Sequence, residues 1–180
     1  QPAGLVEVGD VDQEQQDAVT DVFAVPSACF LVRADLFQAL GGFDAAMSFH
    51  GEDVDLCWRA HIGGARVMVA PAARVRHREQ LETRRPDLNH PALRARHSLR
   101  STLTLTAGSR LPVRLLELVA VTVLEVIVGV FSGHAREAWA SLRALLGAIP
   151  RFPTLLARRG AIAKLRRVSD SEVHDLQSHG

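Results

Sequence analysis

The sequence predicts an α/β unit followed by an α-helical extension, and three observations lead there. β-Branched segments alternate with short amphipathic helices as far as residue 77, the strand-like pattern then stops, and the charge changes sign at about the same place. Residues 1–70 carry 3 basic and 11 acidic side chains, and residues 71–180 carry 18 basic and 9 acidic, which together give the net charge of +1. With 180 residues, 47% apolar and 23% charged, and a mean hydropathy of +0.07, the chain can bury a core. Disordered, collagen-like and coiled-coil classes are excluded. Cys29 and Cys57 have no CxxC spacing, which argues against a disulfide scaffold or a zinc finger and fits a reducing compartment. The chain opens on Gln1 with no basic and then apolar leader, so no signal peptide is expected, and a piece of a longer protein is.

Leu5–Val8 reads as a short strand within an acidic, polar segment whose Asp10–Val11–Asp12 string is a solvated loop rather than a metal site. Val22–Val25 and Ala28–Val32 read as a strand edged by Pro26. Ala34–Leu40 is a short helix with Leu36, Phe37 and Leu40 at helical spacing and Gly41–Gly42 as its stop. His50, Glu52, Asp53 and Asp55 then crowd into the start of a second helix that turns Leu56, Cys57 and Ala60 toward a core and ends at Gly63–Gly64. Asp55 and Arg59 have the i, i+4 spacing of a helix-surface ion pair. Arg66–Ala70 reads as a strand closed by Pro71, and Ala73–His77 as a further extended segment.

Residues 78–110 form a basic connector leading into a helix near Leu93–Leu105. Leu111–Phe131 is the most apolar stretch, but Arg114, Glu117 and Glu125 interrupt it, which leaves it short of an uncharged membrane span. On a helix these three and Thr122 share one face, and the broad apolar face opposite calls for a partner or a bilayer surface. Helices over Ala135–Ile149 and Thr154–Val168 follow, the last carrying Arg158, Arg159, Lys164, Arg166 and Arg167. A basic amphipathic helix of this kind suits the headgroups of an anionic membrane. No helix-turn-helix or zinc-finger signature and few aromatics accompany the arginines, so nucleic acid is not expected as a partner.

The ordered run Gly41–Gly42–Phe43–Asp44, His50–Gly51–Glu52–Asp53–Val54–Asp55–Leu56–Cys57–Trp58–Arg59, Pro71–Ala72 and His77 resembles the acceptor half of a family 2 glycosyltransferase, over about residues 22–80. The later basic helices resemble, more loosely, the membrane-associated tails of family members that build bacterial cell-envelope polysaccharides. The resemblance implies the C-terminal, acceptor-side part of a GT-A fold over residues 1–90 and a helical, membrane-associated extension over 91–180. It implies that Asp53 is the catalytic base, that Glu52 orients the acceptor or the base, and that His77 lies near a divalent metal, Mn²⁺ or Mg²⁺, and the donor diphosphate. Trp58 would stack on a sugar or pack in the helix, and Ser27–Ala28, where relatives carry Gly-Ala, would lie by the acceptor.

The implied partners are a nucleotide-sugar donor, a glycan or lipid-linked acceptor, and an anionic membrane surface at the cytoplasmic face of the cell membrane. The implied reaction is inverting sugar transfer. The family's nucleotide-binding half, with its Asp-x-Asp motif, is expected upstream of Gln1, and the isolated segment is expected to be inactive. The rival reading is a non-catalytic, membrane-associated binding or assembly module on a degenerate version of the same fold.

Overall fold

The computed structural model describes residues 19–76, 81–132 and 135–179. Its α-helices are α1 (Ala34–Ala39), α2 (Glu52–Ile62), α3 (Leu81–Arg84), α4 (His90–Leu105), α5 (Leu111–Ser132), α6 (Ala135–Ala148), α7 (Phe152–Leu165) and α8 (Asp170–His179). Extended backbone pairs at one place among the described residues. Asp21 bridges Met68 in antiparallel fashion, with the Val22 amide donating to the Val67 carbonyl at 3.0 Å and the Val69 amide to the Thr20 carbonyl at 3.0 Å. The expected strand at Leu5–Val8 and the Asp10–Asp12 loop lie outside the described residues. Ser27–Cys29 forms a 3₁₀ turn where an extended run was expected. Pro26 starts it at φ −67°, its carbonyl accepting from the Cys29 amide at 3.2 Å.

The chain divides into two compact units. The first comprises the described residues of 1–44, 53–78 and 165–180. Its core is Leu40, Leu56 and Ala60, against which Phe30, Leu36, Phe37, Ala65 and Val67 pack, and Phe43 meets Phe30 and Phe37 edge-on at 6.1 and 5.4 Å. Each Gly-Gly pair closes its helix in the same way. Gly41 (φ 83°) and Gly64 (φ 81°) adopt the left-handed conformation, and the residue after each returns an amide to the helix, Gly42 to the Phe37 carbonyl and Ala65 to the Ala60 carbonyl. Further along the chain, the Arg167 amide donates to the Ile62 carbonyl at the end of α2, at 2.8 Å.

The second unit comprises the described residues of 45–52 and 79–164, with α4, α5 and α6 packed against one another. The Asn89 side chain caps α4 by accepting from the Ala92 amide at 3.2 Å, and Pro91 occupies the first turn, where no amide is needed. On α5 the usual arrangement is reversed: Thr122 and Gly129 are buried while Leu116 is 72% and Phe131 88% exposed. The polar face expected of this helix exists, since Arg114, Glu117, Thr122 and Glu125 all line one cavity of about 620 Å³ against α4. The α7 arginines turn inward: Arg158 donates to the Thr104 hydroxyl and Arg159 to the Leu103 carbonyl, both on α4. Arg166, just past α7, pairs with Asp170 at 2.5 Å. Three arginines of the basic segment thus make contacts inside the protein.

Candidate active site

The loop before α2 needs two unusual backbone conformations, His50 at φ 62° and Gly51 at φ 91°. Only glycine takes the second cheaply, and a histidine in the first needs help from its surroundings. In the second unit that help comes from two histidines far along the chain. His97, 1% exposed, directs Nδ1 at the Phe49 and His50 carbonyls, at 2.7 and 2.9 Å. His90 Nε2 lies 2.9 Å from the Arg85 carbonyl, which can only accept, so that nitrogen carries the proton. His90 Nδ1 and His50 Nε2 face each other at 2.8 Å, and a single proton between them completes the bond. His90 and His97 thus hold the loop before α2 in place. Separations of 40 and 47 residues left no local pattern by which to pair them with His50.

In the first unit, Asp53 stands in the first turn of α2. Its Oδ2 accepts from the Ser27 backbone amide at 3.0 Å and its Oδ1 from the Val54 amide at 2.8 Å. Two residues singled out in the sequence, Asp53 and Ser27, are thereby brought together across 26 positions. Each oxygen keeps further lone-pair capacity, so the carboxylate is both held in place and able to accept a proton. Glu52 is the first residue of the same helix and is half-buried.

Trp58 packs its ring edge-on against Phe23, centroids 5.6 Å apart, and remains partly exposed. Its indole N–H is buried with no hydrogen-bond partner among the described residues. Phe23 also stacks on His61, whose Nε2–H points at the Val22 and Phe23 carbonyls at 3.2 and 3.0 Å. Burial holds that imidazole toward its neutral form. Burial likewise pushes the Cys57 thiol up, which makes it a packing residue rather than a nucleophile.

Asp55 and Arg59 form a buried pair, not the surface pair their spacing suggested. Their side chains are 0% and 4% exposed, with Arg59 Nε and Nη2 each 2.8 Å from Asp55 Oδ2. The guanidinium is drawn inward because its Nη1 also reaches the Leu40 and Gly42 carbonyls, each at 2.7 Å. Arg59 therefore ties the Glu52–Arg59 motif to the Gly41–Asp44 motif, and helix α2 is anchored on the α1 cap.

His77 lies outside the described residues, as do His134 and Asp10–Asp12. Among the described residues no three His, Cys, Asp or Glu side chains gather as a metal site. The Mn²⁺ or Mg²⁺ implied by the sequence thus finds no ligand set among them.

A family model described as Glycosyltransferase like family 2 matches residues 10–102, over half of the chain, and the chain belongs to that family. The resemblance carried by the Gly41–Asp44 and His50–Arg59 motifs is borne out. Among curated proteins, the chain is 45% identical over 60 residues to the pre-mycofactocin glycosyltransferase of Mycobacterium tuberculosis, a match covering 33% of this chain and 13% of that protein. It is 38% identical over 61 residues to the O-antigen biosynthesis protein RfbC of Myxococcus xanthus, covering 34% of this chain and 5% of that protein. The chain thus matches a small part of the length of these relatives. No solved structure matches it.

Proposed function

We propose that the chain is the acceptor-side part of a GT-A-type, inverting glycosyltransferase that moves a sugar from a nucleotide-sugar donor to a glycan or lipid-linked acceptor in cell-envelope polysaccharide synthesis. The observation that carries this reading is the Asp53 carboxylate, held by the Ser27 and Val54 amides within the family-matched stretch. In the reaction an acceptor hydroxyl attacks the anomeric carbon, its proton passes to Asp53, and the bond to the nucleoside diphosphate breaks as the new glycosidic bond forms. One base and one displacement invert the anomeric configuration. Amide donors on both oxygens fix the carboxylate in position, so little orientation is lost when the acceptor arrives. Glu52 orients the acceptor or the base, Ser27 and Trp58 form the acceptor's near wall, and His77 would hold the donor diphosphate or a Mn²⁺ or Mg²⁺ that neutralises its charge.

The nucleotide-binding half is assigned to sequence outside these 180 residues, in keeping with the small share of each relative that is matched. The extension, residues 91–180, works at the cytoplasmic face of the cell membrane. One described helix, Leu111–Ser132, is long and apolar enough to cross a membrane, which supports association with a membrane.

A second reading has one observation in its favour. The Asp53 hydrogen bonds to Ser27 and Val54 both go to backbone amides, as they would for a carboxylate that merely clamps a helix start, and a non-catalytic binding or assembly module would keep that clamp. Asp53→Asn separates the two. In the complete protein, assayed for nucleoside diphosphate release from a sugar-nucleotide panel with Mn²⁺ or Mg²⁺ and membrane-extract acceptors, the variant is expected to lose at least about a hundredfold in turnover with its melting temperature near wild type. Near-normal turnover by a folded variant would sink the assignment of the base.

A further inference from the structure

Two cavities flank Leu99 and Ala144 in the second unit, and their charges differ. The larger, between α4 and α5, balances Arg94 and Arg114 with Glu117 and Glu125. The smaller, about 110 Å³, is lined by Arg96 and Arg100 of α4, Arg143 of α6 and Arg151 of the Ile149–Arg151 turn, with no carboxylate among the described residues of its wall. We propose that these four arginines form a binding site for a phosphate monoester. This inference does not depend on the transferase reading.

The site is built from the helices upward. Arg96 and Arg100 are four residues apart, which puts both on one face of α4. Opposite them α6 presents Ala144, Gly147 and Ala148, small side chains that leave the space open. A Cβ on Gly147 would come within 3.4 Å of Arg151 Nη1, and the Gly147 carbonyl accepts from that same nitrogen at 2.6 Å. Arg96 is anchored in a similar way, donating to the Ala46 carbonyl at 3.3 Å. Backbone carbonyls fix the direction of a guanidinium without cancelling its charge, so both are oriented and still cationic.

The volume equals that of about four waters, which suits one phosphate group and excludes a nucleoside. Planar guanidinium forks match phosphate oxygens in geometry as well as charge. The walls between the arginines are aliphatic, with Leu99, Leu103 and Leu155, and Arg151 is flanked by Ile149 and Phe152, 70% and 59% exposed. Cations among exposed apolar side chains suit the phosphate of an amphiphile, such as a lipid headgroup, and the same forks would take a soluble phosphate.

The test uses the 180-residue chain, wild type, Arg143→Gln and Arg96→Gln/Arg143→Gln, with melting curves to establish folding. Calorimetric titration with glycerol 3-phosphate, a monoester, against dimethyl phosphate, a diester, reads the soluble source. Flotation of the same chains carrying Leu116→Asn/Leu124→Asn/Ile127→Asn, which takes away the exposed apolar face of α5 as a general hold on phosphatidylcholine, reads the lipid source with phosphatidylcholine vesicles containing phosphatidic acid against vesicles of matched charge containing phosphatidylglycerol. The expected result is preference for the phosphomonoester in one arm, weakened about tenfold or more by the single substitution and further by the double. Preference only on vesicles assigns a lipid headgroup, and binding in free solution a soluble phosphate. In the ligand-free chain, removal of like charge is expected to leave the melting temperature unchanged or higher. Overturning results would be no binding in either arm, equal binding to the two vesicle types without solution binding, or affinity that the folded double variant retains.

Discussion

The Arg59 guanidinium meets three acceptors, the Asp55 carboxylate and the carbonyls of Leu40 and Gly42, almost wholly out of solvent. A charge taken out of water is tolerated only while its partners stay in place, so removing one side of the pair costs more than the pair itself contributes. Arg59→Ala is expected to destabilise the chain by about 3–5 kcal/mol, and Asp55→Ala by a similar amount, in chemical denaturation. The double variant Asp55→Leu/Arg59→Met is expected to lose clearly less than the sum of the single losses, since it leaves no orphaned charge. Losses below about 1 kcal/mol would mean that the pair is solvated. The i, i+4 spacing announced that these residues meet, and nothing in it announced burial, because the Leu40 and Gly42 carbonyls come from another helix end. The same distinction runs through the candidate site. Asp53 was legible from its motif, whereas its contact with the Ser27 amide depends on a turn that closes only in three dimensions.

Helix ends were the most legible elements, because a Gly-Gly pair after an amphipathic run carries its own stereochemistry. Both pairs became left-handed caps, while extended runs such as Ala28–Val32 were decided by Pro26 and by partners distant in sequence. α8 was missed because Asp170–His179 has little apolar periodicity, and among its described side chains only Val173 is deeply buried. Glycines in different elements should respond in opposite directions. Gly64→Ala forces a Cβ onto a φ of 81° and is expected to lower stability by about 1 kcal/mol. Gly160 lies inside α7, where a Cβ meets nothing within 4 Å, so Gly160→Ala is expected to raise stability by about 0.5–1 kcal/mol. Melting temperatures of the two variants check the pair. A shift of the same sign in both would contradict the cap geometry.

At the scale of the whole chain, the net charge of +1 conceals an acidic front and a basic remainder, which pointed to attraction between arginines and anionic lipid. The structure redirects that argument. Arg158, Arg159 and Arg166 have acceptors within the protein, whereas α5 leaves Val113, Leu116, Val123, Leu124, Ile127 and Phe131 more than half exposed. A helix of 22 residues is about 33 Å long, enough for a hydrocarbon core of about 30 Å, and its most apolar stretch has a mean hydropathy of 2.3 with 11% of it buried. Water strongly disfavours such a surface, and a bilayer does not. Membrane association led by this face is therefore expected to persist on neutral phosphatidylcholine vesicles and in 1 M salt, where charge attraction is screened within about 3 Å. Leu116→Asn/Leu124→Asn/Ile127→Asn is expected to release the chain from those vesicles in flotation, while Arg158→Gln/Arg159→Gln leaves binding within about twofold. Binding that salt abolishes and the asparagine variant retains would return the interaction to the arginines.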